Sequence, residues 1–275
     1  MKVQHIISTM NRKDFSFLEN LCLKTDAVVV NQNCPEGKQA ITLSNGARVR
    51  AVSTTEKGLS RSRNKLIENA TGDICIIGDD DVEYLDGYLD IIEGAYKKYP
   101  DADIIIFHFD TDDKTRTQQK YSKTKKHGRF SRMPWGGVRI AVRLSSIKKA
   151  NVWFTTLFGG GCVFPSGEDS MWLADAKRKG LTFYVSKETI GKVFFDTSTW
   201  FTGYDENFFY GKGAFISAVR KNEFFVVWAY YYAFSFRKKG KLTFFEKLKW
   251  MKHGREGYKK MLSFGEYKKL IIKGE

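Results

Sequence analysis

"GDICIIGDDD", Gly72 to Asp81, is the stretch on which the fold turns. Ile74, Cys75, Ile76 and Ile77 form a continuous apolar run. A short run of this kind between glycines reads as a strand buried on both faces, the habit of parallel sheets covered by helices. It leads straight into three carboxylates, Asp79, Asp80 and Asp81. Neighbouring like charges disfavour each other's ionisation. One aspartate suffices to cap a following helix, so three ask for a further reason. A divalent cation gives one: hard carboxylate oxygens hold Mg²⁺ or Mn²⁺, and the ion offsets their repulsion. In open α/β sheets ligands bind beyond the carboxyl ends of strands, which is where these residues fall.

The flanking sequence alternates strand and helix. Val3–Ser8 and the β-branched run Ala27–Gln32 predict two further buried strands, with "FSFLENL" a short helix between them. Asn45-Gly46 lies between two alternating runs, a hairpin signal. "LSRSRNKLIENATG" predicts a helix capped by Ser60, with Leu66, Ile67 and Ala70 inward and Gly72 as its stop. "YLDGYLDIIEGAYKKYP" places Leu85, Tyr88, Leu89, Ile92, Ala95 and Tyr99 on one helical face and closes at Pro100. "ADIIIFHF" is the next strand. This order argues an α/β fold with a mostly parallel central sheet flanked by helices. Asp110–Gly137 is polar, basic and aperiodic, a long loop of the functional or mobile kind. After it, "VRIAVR" reads as a half-exposed strand, "GEDSMWLADAKRKG" as a helix stopped by Gly180, and "LTFYVS" and "TIGKVFF" as two short strands.

Composition excludes several classes. The chain has 275 residues, 42% of them hydrophobic, which is enough for a sizeable core and argues against global disorder. The four cysteines are scattered, with no CxxC pair to suggest a zinc site, and this usage fits a reducing compartment. The N-terminus lacks the apolar run of a signal peptide, so a cytoplasmic location is expected. Net charge is +15, of which +9 falls in residues 237–275. A basic tail suits an acidic partner, whether nucleic acid or anionic lipid. Phe224–Phe236 is thirteen residues without a charge, too short to span a bilayer. The segment from Phe245 mixes Leu248, Trp250, Met251, Tyr258, Met261, Leu262 and Leu270 with lysines. Such a helix suits a membrane interface, or else packs its apolar side on the rest of the protein.

Two further clusters carry candidate chemistry. Lys57, Arg61 and Arg63 surround a helix start, where a helix N-terminus and a bidentate guanidinium both favour phosphate; Arg61 alone reads as a solvated charge. Glu168 and Asp169 open a helix after Gly159–Gly161. They are either caps or a general base, and the glycines, Gly160 and Gly161 among them, allow close backbone approach to a substrate. Trp172, three residues on, suits ring stacking on a ligand and core packing equally.

Taken in order, "GLSRSRN", "TGDICIIGDDDV" and "GEDSMWLADAKRKGLTFYV" resemble inverting glycosyltransferases of family two, over roughly Val3 to Trp200. "STMNRKDFSFL" and "STWFTGYDENFFYGKGA" resemble, more narrowly, bacterial enzymes that build capsular, O-antigen or exopolysaccharide units. The resemblance implies a GT-A, Rossmann-like catalytic domain over residues 1–203. Residues 204–275 would then be a helical, basic and aromatic extension on the membrane surface. It implies that Asp81 ligates Mn²⁺ or Mg²⁺, with Asp79 and Asp80 supporting the ion or contacting ribose. Asp169 would be the catalytic base with Glu168 beside it. Arg63 and Asn64, with Lys57, would lie on the donor side. Asn31 and Gln32 stand where many relatives hold the nucleobase with an Asp, and Asp196 is a late metal or diphosphate contact. Gly160, Gly161 and Trp172 would face the acceptor. The implied partners are a nucleotide-sugar donor, a glycan or polyprenyl-diphosphate-linked acceptor, and anionic lipid at the cytoplasmic membrane face.

The same residues admit two other readings. A nucleic-acid-binding protein would use the basic tail, but no RNP-type motif is present and the carboxylates would repel a phosphate backbone. A sugar nucleotidyltransferase would carry a glycine-rich loop after the first strand, and "STMNRKD" is not one.

Overall fold

The computed structural model describes residues 1–111, 120–128, 137–194, 203–220 and 224–272. Its centre is a ten-stranded sheet in the order β3-β4-β2-β1-β5-β9-β7-β10-β6, with β8 paired to β10. The strands are β1 (Val3–Met10), β2 (Ala27–Gln32), β3 (Gly37–Thr42), β4 (Arg48–Thr54), β5 (Ile74–Asp79), β6 (Val82–Tyr84), β7 (Ile104–Thr111), β8 (Lys125–Lys126), β9 (Ile140–Arg143) and β10 (Phe183–Val193). The run that opens the sequence is indeed a buried strand. β4, β2, β1 and β5 are parallel, so the carboxyl ends of β1, β2 and β5 share one edge. On the far side of β5 the sheet becomes mixed, because β9 enters antiparallel between β5 and β7. β9 is therefore central and buried, not half-exposed. Its apparent alternation comes from Arg139 and Arg143; Arg139 is itself buried, its Nε donating to the Phe107 carbonyl at 2.9 Å.

Helices α1 (Leu59–Asn69), α2 (Tyr88–Lys98), α3 (Leu144–Lys149) and α4 (Glu168–Arg178) cover the sheet. Two cores result. One lies under α2, around Ile7, Val29, Ile76 and Phe107; the other lies under α1 and α4, around Ile6, Val28, Leu66, Ile77 and Trp172. Alternate residues of β1 thus feed opposite faces, as the pleat requires. Three local expectations change. α1 is preceded by Gly58 at φ 126, and Ser60 caps nothing: it is a buried helical residue. Leu85 precedes α2, which starts only after Gly87, and is exposed. The two short strands after α4 are one irregular strand, β10, with register shifts between Val185 and Gly191.

Beyond residue 203 come α5 (Glu206–Arg220), α6 (Phe225–Ser235), α7 (Phe244–Lys260) and α8 (Phe264–Ile272). α5 and α7 cross with backbones in contact. A Cβ on Gly213 would overlap the Met251 carbonyl, and one on Gly254 the Tyr210 carbonyl. Lys247 is fully buried at the end of α6, donating to the carbonyls of Phe236 (3.0 Å), Arg237 (3.4 Å) and Lys239 (3.0 Å). Lys247 thus binds the C-cap carbonyl of α6, an acceptor that a helix end leaves open, and two carbonyls of the turn that follows. The expected membrane face of α7 is largely spent inside. Leu248, Trp250, Met251, Tyr258 and Leu262 pack into the helical cores, leaving Phe245, Met261 and Leu270 exposed. One of those cores joins Tyr210, Phe215 and Tyr267 to Phe158 and Phe164, so the helical extension shares a core with the chain ahead of α4.

Candidate active site

The polar side of α1 decides the geometry of the site. Ser60, Ser62 and Arg63 are buried there, and each side chain reaches a partner elsewhere in the chain, although Arg63 Nε is left without one. Ser62 meets the hydroxyl of Ser8 on β1 at 2.9 Å. Ser60 donates to the Phe158 carbonyl at 2.6 Å. Asn64 grips the backbone of Phe154 twice: its amide donates to the carbonyl at 2.9 Å and its oxygen accepts from the N–H at 2.8 Å. "SRSRN" is thus a polar joint that fixes α1 to β1 and to the segment ahead of α4. Asn64 is committed to that joint and not to a donor.

Arg63 sits at the centre. Its side chain is 2% exposed. One nitrogen pairs with Asp169 and lies 3.5 Å from Glu168, at the start of α4; the other donates to both oxygens of Asp79 at 3.3 Å, at the end of β5. Gly137 packs directly over the guanidinium, where a Cβ would come within 2.5 Å of Nη2. The expected diphosphate contact is therefore corrected: Arg63 is enclosed and engaged by carboxylates. Its partners outweigh the burial that works against its charge, and hold it firmly protonated.

One cation shared among three carboxylates leaves an excess of negative charge, and the carboxylates respond. Burial pushes Asp169 up to about 7; Arg63 works against this, and Glu168 adds to it. Burial also raises Asp79, again opposed by Arg63 and reinforced by Asp169 and Asp80. A carboxylate held near neutrality is suited to accept a proton at working pH.

Asp80 turns the other way. It accepts from Arg12 at 2.8 Å (Nη2) and 3.2 Å (Nε), and from the Thr9 hydroxyl. Arg12 and Thr9 were not expected. The signal was an arginine just past the carboxyl end of β1, the edge where α/β sheets bind ligands. Asn31 and Gln32 build the same corner. Asn31 donates to the Arg12 carbonyl at 2.8 Å and accepts from its N–H at 3.1 Å; Gln32 accepts from the Gly58 N–H at 2.9 Å. Both are buried and spend their side chains shaping the loop, which corrects a direct role in holding a base.

The remaining candidates separate clearly. Trp172 is 1% exposed and stacks on Phe154 at 4.9 Å, so its ring is core and does not face an acceptor. Gly160 is buried, and its carbonyl accepts from the Leu59 N–H at 2.9 Å. Gly161 is exposed, at φ 75. That loop braces the start of α1. Lys57 is exposed. Lys212, on α5, was also missed; burial lowers it to about 8, and Glu168 acts in the opposite direction. Asp196 lies outside the described residues.

Asp81 is half-buried, directly after β5. Among the described residues no three His, Cys, Asp or Glu side chains converge as a ready metal cage. Asp79–Asp81 still suit a hard cation of the Mg²⁺ type, which takes one or two carboxylates and completes its shell with water and substrate phosphate.

Residues 16–152 match the family profile described as Glycosyl transferase family 2. The fold is similar to that of S. aureus TarS 1-349, at 13% identity and a TM-score of 0.59, over 96% of this chain and 93% of that one. The same protein in complex with UDP-GlcNAc matches at 12% identity and the same TM-score and coverage, and its complex with UDP at 13%. A comparison with curated protein sequences found no match.

Proposed function

Since the chain is a glycosyltransferase of family 2 with the GT-A fold, we propose that it moves a sugar from a UDP-sugar to a hydroxyl of a glycan or polyprenyl-diphosphate-linked acceptor, with inversion, during surface-polysaccharide assembly. The observation that carries this reading is the convergence of two carboxylate sets on one guanidinium: Asp79 from the end of β5, and Glu168 with Asp169 from the start of α4. The choice of uridine is supported by the UDP and UDP-GlcNAc complexes of the similar structure.

In this mechanism Asp169 takes the proton from the acceptor hydroxyl. The hydroxyl oxygen forms a bond to the anomeric carbon as the bond to the diphosphate oxygen breaks, and the nucleoside diphosphate leaves with that electron pair. Attack from the face opposite the leaving group inverts the centre. Arg63 holds Asp169 in position from behind, and Arg12 does the same for Asp80. A Mn²⁺ or Mg²⁺ ion held through Asp81, with Asp79 or Asp196 beside it, would supply positive charge to the departing diphosphate. A polyprenyl-diphosphate-linked acceptor would put this reaction at the cytoplasmic face of a membrane.

The test is thermal shift with UDP, GDP, CMP and dTDP, each with and without Mn²⁺. UDP with Mn²⁺ should stabilise the protein by about 2.7 kcal/mol at a hundredfold excess over Kd, and Asp81→Ala should lose the metal-dependent part. No shift with any nucleotide would overturn the reading.

A further inference from the structure

α6 is eleven residues, about 16 Å of helix, against a hydrocarbon core of about 30 Å. Among the described residues no helix is long and apolar enough to cross a membrane. Yet α6 carries no charge and does not bury most of its surface. Phe225, Ala229, Tyr232 and Ala233 face the core, while Val226, Val227, Tyr230, Tyr231 and Phe234 form the opposite face. Val226 and Val227 are each 61% exposed and Phe234 59%. Phe224 extends this face at the helix start. Tyr230 extends it sideways, through an edge contact with Phe244 at 5.6 Å, toward Phe245, which is 76% exposed. A contiguous apolar patch of this kind marks an interaction site in a water-soluble fold.

The charge directly after α6 has one sign, while the carboxylate of Glu246, next to Phe245, is taken up by the Thr243 N–H and hydroxyl at 2.7 Å. Residues 224–241 contain no Asp or Glu. Arg237, Lys238, Lys239 and Lys241 follow α6 directly and are exposed, with the Arg237 guanidinium 4.2 Å over the Phe234 ring. An apolar and aromatic helix face bordered by cations matches the lipid–water boundary, where tyrosine rings sit at headgroup depth and lysines meet anionic headgroups. Pairing of two copies through this face would bring two such clusters toward each other.

We propose that α6 lies in the plane of an anionic bilayer, with Val226, Val227 and Phe234 inserted among the acyl chains, Tyr230 and Tyr231 at headgroup depth, and Arg237, Lys238, Lys239 and Lys241 on the headgroups. This rests on the membrane-side part of the reading above and is independent of the transfer chemistry. It also moves the contact from α7, whose apolar side is buried, to α6.

The probe is the full chain sedimented with phosphatidylglycerol or phosphatidylcholine vesicles. Binding to phosphatidylglycerol is expected, falling with salt and absent on phosphatidylcholine. The variant Val226→Ser/Val227→Ser/Phe234→Ser should bind roughly tenfold or more weakly even at low salt. Lys238→Gln/Lys239→Gln/Lys241→Gln should weaken binding and flatten its salt dependence. Met261→Ser/Leu270→Ser should bind like the parent. Equal binding by the first variant, release by the last, or a solution dimer that the first variant dissociates would each overturn the proposal. UDP-dependent thermal shift of every variant, measured alongside, separates its failure from failure of the transferase reading.

Discussion

Arg63 holds three carboxylates with one charge, and the consequences are measurable at single residues. Asp169 titrates at about 7 when folded against an ordinary 3.8. Its basic form accumulates above pH 7, so kcat/KM for transfer should rise with pH through that region and level off. Arg63→Gln removes the main influence that lowers Asp169, leaving only the weaker pull of the Gly137 backbone N–H, so the acid limb should move to higher pH. The same variant leaves three part-buried carboxylates without their cation and should lose up to about 3 kcal/mol of stability by urea titration. Asp169→Asn should keep UDP binding and lose transfer by roughly a hundredfold or more. Its stability carries a sign as well. The folded protein binds the Asp169 proton more tightly than the unfolded chain does, so this group's contribution is fully present below about pH 4 and is lost as pH rises through 7. The asparagine variant should therefore melt higher than the parent at pH 8, with a smaller difference at pH 6.

At the scale of elements, Trp172 and the α5–α7 crossing give the sharpest expectations. Trp172→Ala should cost about 3–5 kcal/mol by urea unfolding while leaving UDP affinity unchanged, since its ring contacts Phe154 and not the cleft. Gly254→Ala places a methyl against the Tyr210 backbone and should destabilise by about 1–3 kcal/mol. Strands such as Ile74–Asp79 and Ala27–Gln32 were legible because a buried parallel strand has a one-dimensional signature, a short unbroken apolar run. β6 was not, being three residues long and made by pairing with β10 more than a hundred positions away. Nor was the central place of β9, because Arg143 in it and Arg139 just ahead of it looked solvent-facing and Arg139 is buried.

Across the whole molecule, the resemblance rested on carboxylates in order, of which Asp79–Asp81 fall within residues 16–152 that match the family profile and Asp169 falls beyond them. The sequence did not reveal how their partners divide. "RSRN" suggested cations for a phosphate, whereas Arg63 faces inward, and the guanidinium on Asp80 comes from Arg12. Such a choice depends on which side of α1 meets β1, a tertiary fact. Likewise the sequence of the basic tail leaves open a membrane face or packing on the rest of the protein, and Phe158 and Phe164 share a core with Tyr210, Phe215 and Tyr258. Deleting residues 237–275 would remove α7 and α8 from that core. The truncated protein should melt lower and lose transfer even to a water-soluble acceptor, whereas the α6 face variant should keep both.

Gly167, at φ 108 just ahead of Glu168, faces Phe215 of α5 so closely that a Cβ there would come within 2.9 Å of the ring. This contact limits how such proteins can be recombined. A chimera joined between β10 and α5 exchanges the two sides of the seam independently, and any incoming helix with a bulkier or shifted ring at position 215 would press on the turn that aims Asp169. Grafts that carry the Gly167–Phe215 pair together should retain activity. Those that split it should express as folded but catalytically impaired proteins, so the seam sets a rule of inheritance between the two halves of the chain.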